Sequence, residues 1–226
     1  MKTKAYFLFL VMLAITQPGR AADGSGDPLQ SPDIALCLRP LRLAEQPRLS
    51  DAVESVKRLR SFTQKQEGTA RRAVDALVFI FKDLFLKEFE LTAAENALAQ
   101  AERKALGREQ QATQTETVGS PLTGPNPRLA AMFRKEAADI RGRASQRYEM
   151  ALSLMKEKIT AYNVSVGYFQ SQGNMEVVIA LENSLFAIVD RHLPDFYFTP
   201  TVSREWVTQM RREWGTGNAT HALTVR

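Results

Sequence analysis

Residues 129–169 read LAAMFRKEAADIRGRASQRYEMALSLMKEKITAYNVSVGYF, and apolar side chains recur through this stretch in steps of three and four. The spacing repeats over eleven residues and three turns, about 3.67 residues per turn, which keeps one apolar stripe on an almost straight helix. A heptad coiled coil would need about 3.5 residues per turn. We therefore predict one helix of roughly 45 residues that needs packing partners along its whole length. The stripe consists of Leu129, Phe133, Ala137, Ile140, Ala144, Tyr148, Ala151, Met155, Ile159, Tyr162, Val166 and Phe169.

Weaker patterns predict two helices before this one. The first starts at Ser50 and is broken at Gly68. The second runs from Thr69 to about Leu106, where Gly107 is typical of a C-terminal stop. The apolar stripe of the first helix recurs at three-residue steps and consists of Val53, Val56, Leu59 and Phe62.

Two shorter helices are predicted after the long one. Asn174 starts a helix that ends near His192, and a last helix is capped at Thr201 or Ser203. A capping side chain accepts a hydrogen bond from an amide in the first turn, which explains why these residue types mark helix starts.

The segments between the helices are rich in turn-forming residues. Residues 108–127 (REQQATQTETVGSPLTGPNP) are polar and then broken by glycine and three prolines, which predicts a long exposed loop. Residues 22–49 are predicted to be a flexible lead-in with one short helical turn, because Pro40 and Pro47 each remove an amide donor. We predict an all-α fold, an elongated bundle of four or five helices over residues 50–214, and a disordered tail over 215–226.

The N-terminus has the layout of a secretory signal peptide. Lys2 and Lys4 precede an unbroken apolar run of eleven residues. As a helix this run spans about 16 Å, too short for a hydrocarbon core of about 30 Å. Gly19 and Ala21 fit the small residues that precede a cleavage site. We predict that the first 21 residues are a signal peptide, that cleavage occurs near Ala21 or Ala22, and that the protein is periplasmic or secreted.

The charge balance and the cysteine content exclude some classes of partner and of covalent cross-link. The whole chain has 30 basic and 25 acidic residues, and three of the basic ones (Lys2, Lys4 and Arg20) fall in the leader. The mature chain is therefore nearly balanced and lacks the concentrated positive field that nucleic acids require, so we predict no nucleic-acid partner. A single cysteine, Cys37, excludes an internal disulfide and indicates a buried side chain or a bridge to another chain.

Residue types suited to catalysis are sparse. His192, Asp190 and Asp195 form one compact cluster of acid–base or metal-ligating types. Attraction between a histidine at a helix C-terminus and the helix dipole explains that histidine on its own and is the favoured interpretation. A Cys37–His192 nucleophile pair has no local signature, and no hydrolase elbow, zinc-protease motif or phosphate loop occurs. We predict no enzyme activity, no cofactor and no metal, with a site around His192 as the less favoured alternative.

Aromatic side chains are concentrated near the C-terminus. Phe196, Tyr197 and Phe198 lie in an extended connector, and Trp206 and Trp214 lie on the helix that follows. Tyrosine and tryptophan are typical of protein interfaces and membrane surfaces, so these five residues are our candidates for partner binding. The alternative is that they fold over the end of the bundle.

Two matches to the N-glycosylation acceptor pattern occur, Asn163-Val-Ser165 and Asn218-Ala-Thr220. The pattern is short and common by chance, and Asn163 lies inside a predicted helix. We therefore interpret both matches as coincidence.

Taken together, these features predict an exported helical interaction or structural accessory protein in an envelope assembly such as secretion or conjugation machinery. The plan of leader, long helices and polar loop is similar, as a plan alone, to that of exported helical minor pilins of type IV secretion systems. Its partners would be other envelope or secreted proteins, and membrane contact without spanning and oligomerisation stay open. The alternative is a membrane-active helical toxin that conceals an insertion segment from Ala76 to Leu86.

Overall fold

The computed structural model describes residues 27–118 and 124–215, which contain six α-helices and no β-strand. An all-α fold is confirmed, but the predicted count of four or five helices is not. The predicted signal peptide, the first residues of the lead-in and the tail beyond Gly215 lie outside the described residues. In chain order the helices are α1 (Pro32–Leu43), α2 (Leu49–Thr63), α3 (Gly68–Thr117), α4 (Pro127–Ser171), α5 (Met175–His192) and α6 (Arg204–Gly215), and a 3₁₀ turn (Pro28–Gln30) precedes α1.

The described helices divide into two compact units. Unit 1 comprises residues 27–86 and 158–215, and unit 2 comprises residues 87–157. Unit 1 therefore contains α1, α2, α5 and α6 together with the first part of α3 and the last part of α4. Whether the two units act as the one bundle domain predicted for residues 50–214 stays a prediction.

Helix α1 corrects the expectation of a single short turn after residue 34. It runs for 12 residues with Pro40 in its interior. Proline has no amide hydrogen, so Pro40 leaves the carbonyl four residues earlier without its usual donor. That carbonyl belongs to Leu36, and the Arg58 guanidinium on α2 donates to it at 3.2 Å. A long-range donor therefore compensates for the proline, which local sequence reasoning could not see.

The C-terminal end of α1 is fixed by a side chain of α5. Asn183 Nδ2 donates to the carbonyls of Leu41 and Ala44 at 2.8 and 2.9 Å. The last carbonyls of a helix lack intrahelical partners, and a buried one costs stability unless a donor is found. Ile34 and Leu38 are fully buried on the same helix, so residues 32–43 belong to the core of unit 1, which corrects their assignment to a flexible lead-in.

Helix α2 buries a different face from the predicted one. Val53, expected in the core, is 59 % exposed, and the buried residues recur at steps of three and four. Steps of three residues rotate by 300°, so a stripe with that spacing drifts off one face by 60° per step. Of the predicted stripe, Leu59 alone is fully buried. The buried face consists of Ala52, Ser55, Leu59 and Thr63.

Helix α3 extends beyond the predicted stop. Gly107 lies inside it, and the helix continues to Thr117, so the first half of the predicted loop over residues 108–127 is helical. Three features explain the extension: the flanking residues favour helix, the buried side chains repeat at seven-residue spacing, and ion pairs join α3 to α4. A glycine costs only about 1 kcal/mol within such a helix. The repeat consists of Leu91, Leu98, Ala105 and Ala112, with Leu98 half-buried.

Unit 2 is an antiparallel pair formed by α3 and α4. Arg141 on α4 donates to Glu102 at 3.1 Å and to Glu109 at 3.0 Å, and Arg108 on α3 pairs with Glu136 at 3.2 Å. Hydrogen bonding to Arg141 lowers the pKa of Glu109. The seam between the helices is lined by alanines, which let two backbones approach closely: Ala105, Ala112, Ala130 and Ala137 are fully buried.

The stripe predicted for α4 is confirmed along the helix. Its members are buried or half-buried except Leu129, which lies at the border of exposure. Met155, Ile159, Tyr162 and Phe169 are essentially inaccessible. The periodicity was a reliable guide here because α4 has packing partners on one side along its length.

Replacing Gly107 with alanine should stabilise unit 2 by about 1 kcal/mol. A Cβ at Gly107 meets no atom within 4 Å, and the backbone is helical, so the substitution adds helix propensity without strain. Thermal unfolding followed by circular dichroism measures the change. Gly68→Ala is the matched control and should destabilise, because Gly68 has φ +59°, which a Cβ disfavours. Equal effects at the two positions would contradict this account.

Candidate functional site

Helix α5 lies at the centre of unit 1 and is buried on every side. Residues 177–189 are all buried, as expected for a helix with apolar side chains around its circumference. Three polar residues interrupt this apolar run, namely Glu182, Asn183 and Ser184. Asn183 fixes the end of α1, as described above, and Glu182 contacts the aromatic segment that follows α5.

The segment between α5 and α6, residues 193–203, is here called the connector. Asn163 on α4 fixes its middle. Asn163 Nδ2 donates to the carbonyl of Thr199 at 2.7 Å, and Asn163 Oδ1 accepts from the amide of Thr201 at 3.2 Å. The Thr201 hydroxyl also donates to the Asn163 carbonyl at 3.1 Å. Both ends of the Asn163 amide are therefore engaged, which supports the interpretation of this glycosylation pattern as coincidence.

Glu182 on α5 holds the connector by a hydrogen bond from the core side. Its Oε1 accepts a hydrogen bond from the amide of Val202 at 3.3 Å, and the side chain is completely buried. Burial raises the pKa of Glu182 to about 7, and the amides of Val202 and Thr201 oppose that shift. An acidic side chain in a dry core is costly when ionised, so the carboxyl group is partly protonated near neutral pH.

The C-terminal end of the connector is fixed by α6. Ser203 Oγ accepts from the amide of Trp206 at 3.1 Å, which confirms the predicted N-cap. Arg204 makes a two-pronged ion pair with Asp190 on α5, one prong at 2.9 Å, and its guanidinium lies 4.5 Å from the centre of the Phe186 ring. Bidentate arginine–carboxylate pairs fix geometry as well as charge.

The connector places its three aromatic side chains differently. The rings of Phe196 and Phe198 stack, with centroids 6.4 Å apart and planes inclined by 14°. Phe198 also lies 5.9 Å from Phe186 on α5. Tyr197, between them, points outward and is 86 % exposed. An exposed tyrosine thus sits on a backbone that side chains from α4, α5 and α6 already hold.

Among the described residues, the ring contacts of Phe186, Phe196 and Phe198 do not include Trp206 or Trp214. Trp206 is half-buried on α6. Trp214, also half-buried, packs under the Arg42 guanidinium, which lies 4.3 Å from the ring centre. Arg42 is itself buried and pairs with Glu176. Trp214 therefore fits the alternative prediction that these aromatic residues fold over the bundle. Tyr197 is exposed, as a partner-binding residue would be.

Sequence reasoning missed the residues that hold the connector. Asn163 was noted only as a glycosylation pattern, and neither Glu182 nor Arg204 was singled out. Glu182 carried a usable signal, since a lone acid inside a continuous apolar helix needs a partner. Arg204 and Asn163 gave no signal in the sequence, because their contacts join residues that are 14 and 38 positions apart.

The predicted cluster of Asp190, His192 and Asp195 lies at the C-terminal end of α5 and the start of the connector, where Asp195 is exposed. Asp190 is engaged by Arg204, and His192 is half-buried at the C-terminus of α5. Within residues 27–118 and 124–215, no three His, Cys, Asp or Glu side chains group as metal ligands. The alternative of an enzyme site at His192 stays untested, and His192→Ala with an activity or metal-binding assay would decide it.

The apolar segment from Ala76 to Leu86 forms part of the core of unit 1. Leu77, Phe81, Leu84 and Phe85 are buried, and Phe79 and Leu86 are partly exposed. No helix in the described ranges has the length and apolar content to cross a bilayer. Leakage of liposomes by the purified mature protein would test the toxin alternative directly.

Comparison with known proteins gives no match for this sequence: no family model, no curated protein and no solved structure is similar at a significant level.

Proposed function

We propose that this chain is an exported helical accessory protein that docks onto another envelope or secreted protein through Tyr197. Periplasmic secretion or conjugation machinery is the setting that fits the predicted leader. The observation that carries the proposal is an almost fully exposed tyrosine on a connector that α4, α5 and α6 hold in place.

Preorganisation is what makes this tyrosine a good anchor. A flexible loop loses conformational freedom when it binds, which costs about 0.5–1.5 kcal/mol for each side chain that is immobilised. Here Asn163, Glu182 and Arg204 have already fixed the backbone, so less of that cost remains at binding. Tyrosine is also among the residues that dominate interface energies.

Export is tested independently of docking. The full chain should be expressed in a secreting host, and the protein recovered from the periplasm or medium should be sequenced from its N-terminus. We expect a chain that starts at Ala22 or Asp23. Recovery of an uncleaved chain from the cytoplasm alone would remove the exported part of the proposal.

Replacing Tyr197 with alanine should abolish partner binding and leave the protein equally stable. The side chain is 86 % exposed and makes no core contact that its loss would remove. A photo-crosslinking residue at position 197 in the exporting cell should yield a discrete crosslinked species that mass spectrometry identifies. The identified partner is then titrated against wild type and Tyr197→Ala, with an expected affinity loss of at least about tenfold.

Two control variants separate docking from folding. A crosslinker at Val164, which is 65 % exposed on α4, should give no such species. Trp214→Ala should lower the melting temperature, because it removes the ring that covers buried Arg42. The same crosslinked product from both positions, or a large loss of stability in Tyr197→Ala, would count against Tyr197 as a docking residue.

A further inference from the structure

A second surface of unit 1, independent of Tyr197, is a groove between α1 and α2 with a volume of about 340 Å³. Leu36, Cys37 and Phe62 provide its apolar part. Leu36 is 59 % exposed, whereas Cys37 is buried. The charged and polar residues around them are Asp33, Glu54, Lys57, Arg58, Ser61 and Lys65.

Two of the charges at the groove already have partners. Arg58 Nε pairs with Glu54 at 2.8 Å, and Arg58 Nη1 donates to the Leu36 carbonyl that Pro40 leaves without an intrahelical donor. These contacts hold the groove wall in place. They also cancel the charge of Glu54, so that carboxylate does not attract a cationic ligand.

The remaining charges are mainly positive. The side-chain ammonium groups of Lys57 and Lys65 are exposed and make no hydrogen bond or ion pair with residues 27–118 or 124–215. Asp33 is the remaining acid, and it lies in the first turn of α1, where the helix dipole favours a negative charge. The groove thus combines an apolar floor with two unpaired cations on one wall.

We propose that this groove binds an amphipathic helix of another protein whose apolar stripe is flanked by acidic residues. Its apolar side chains lie over Leu36 and Phe62, and its carboxylates reach Lys57 and Lys65. Two packed helices form a groove that a third helix can fill, with apolar anchors one turn apart. Interspersed charges at the edge select the partner and its orientation.

The chain's own N-terminus is a poor occupant. After cleavage near Ala21, the residues before Asp27 read ADGSG and contain no large apolar side chain to lie over Leu36 and Phe62. An uncleaved leader would bring Lys2, Lys4 and Arg20 towards the two lysines, so the occupant we expect is acidic and comes from a different chain.

Cys37 makes occupancy measurable, because it is the only cysteine of the chain and lies in the groove. Burial and, to a smaller extent, the charge of Asp33 raise the pKa of its thiol, so a small thiol reagent labels it slowly. A ligand bound in the groove would block the reagent and slow labelling further. The probe is a synthetic helical peptide with leucines at positions i, i+3, i+4 and i+7 and glutamates beside them. At a peptide concentration about ten times the dissociation constant, labelling should slow about tenfold.

Matched reagents make the test specific. A peptide with lysine in place of each glutamate should leave the labelling rate unchanged. The variant Lys57→Glu/Lys65→Glu changes two exposed side chains and should reverse the preference between the two peptides, with circular dichroism as the check that it folds. Leu36→Ser should weaken protection by the acidic peptide without affecting its charge preference.

Three outcomes would overturn the proposal. An unchanged labelling rate with the acidic peptide means that no such helix binds. Equal protection by both peptides means that Lys57 and Lys65 do not select the occupant. A labelling rate that falls with protein concentration, in the absence of peptide, means that a second copy of the chain covers the groove.

Discussion

Replacing Asp83 with alanine is expected to lower the free energy of unfolding of unit 1 by about 3 kcal/mol. Asp83 Oδ2 accepts from the Tyr162 hydroxyl at 2.5 Å and lies 2.5 Å from Lys158 Nζ. The side chains of Asp83 and Lys158 are only 16 % and 19 % exposed. Without the carboxylate, a nearly buried ammonium loses its counter-charge and a buried hydroxyl loses its acceptor. Urea unfolding of the mature chain, followed by circular dichroism, measures the loss.

The Tyr162 hydroxyl stays protonated through neutral pH. Burial, followed by the hydrogen bond to Asp83, raises the pKa of Tyr162 above its usual value. The hydroxyl therefore stays a donor at every pH at which the protein would be studied. Titration of Tyr162 therefore adds no difference between pH 6 and pH 8 to the effect of Asp83→Ala.

Two further variants separate this cluster from ordinary surface charge. Asp75 lies on the same helix and pairs with Arg71 at 3.9 Å, but both side chains are mostly exposed. Asp75→Ala should change stability by less than about 1 kcal/mol. Adding Lys158→Met to Asp83→Ala should recover part of the loss, because an apolar side chain needs no counter-charge. A loss in Asp83→Ala no larger than that in Asp75→Ala would contradict the assignment.

Sequence periodicity predicted the helices correctly where one helix face is buried along its whole length. The stripe of α4 and the ends of α5 follow from periodicity and from a helix-starting Asn174. Periodicity works there because each turn faces the same packing surface. It failed for α2, where evenly spaced apolar residues such as Val53 drift away from the buried face.

The errors in helix ends arose from long-range contacts. Pro40 would normally weaken a helix, but Arg58 supplies the missing donor from α2. Gly107 would normally end one, but packing of α3 against α4 on both sides of it continues the helix to Thr117. Local propensity is worth about 1 kcal/mol per residue, and packing or ion pairs across two helices can outweigh it.

The candidate site was predictable in residue type but not in orientation. An aromatic-rich connector suggested either a contact surface or a cover for the core, and the structure separates the aromatic residues by their exposure. Trp214 packs against Arg42, whereas Tyr197 is exposed. The side chains that hold the connector, Asn163, Glu182 and Arg204, make contacts that exist only in the folded chain.

Glu182 should make the protein less stable as the pH rises through neutrality. Burial raises its pKa from the ordinary value of 4.5 to about 7. Below pH 4.5 the carboxyl group is protonated in both the folded and unfolded chain, and its favourable contribution is fully present. Between pH 4.5 and 7 the unfolded chain releases the proton first, so the contribution is progressively lost. The expected loss between pH 4.5 and 8 is about 3 kcal/mol, since one pKa unit corresponds to about 1.4 kcal/mol.

Replacing Glu182 with glutamine should remove most of this pH dependence and stabilise the protein at pH 8 by up to about 3 kcal/mol. Glutamine keeps the oxygen that accepts from the amide of Val202, and it carries no charge to bury. The measurement is the urea midpoint of wild type and variant at pH 5, 6, 7 and 8, with hydrogen exchange of the Val202 amide as a local readout. Glu205→Gln, at an exposed position of α6, is the matched control and should leave the pH profile of wild type unchanged. Wild-type protein that is as stable at pH 8 as at pH 5 would show that Glu182 does not titrate inside the fold, and the connector would then be held equally firmly at every pH.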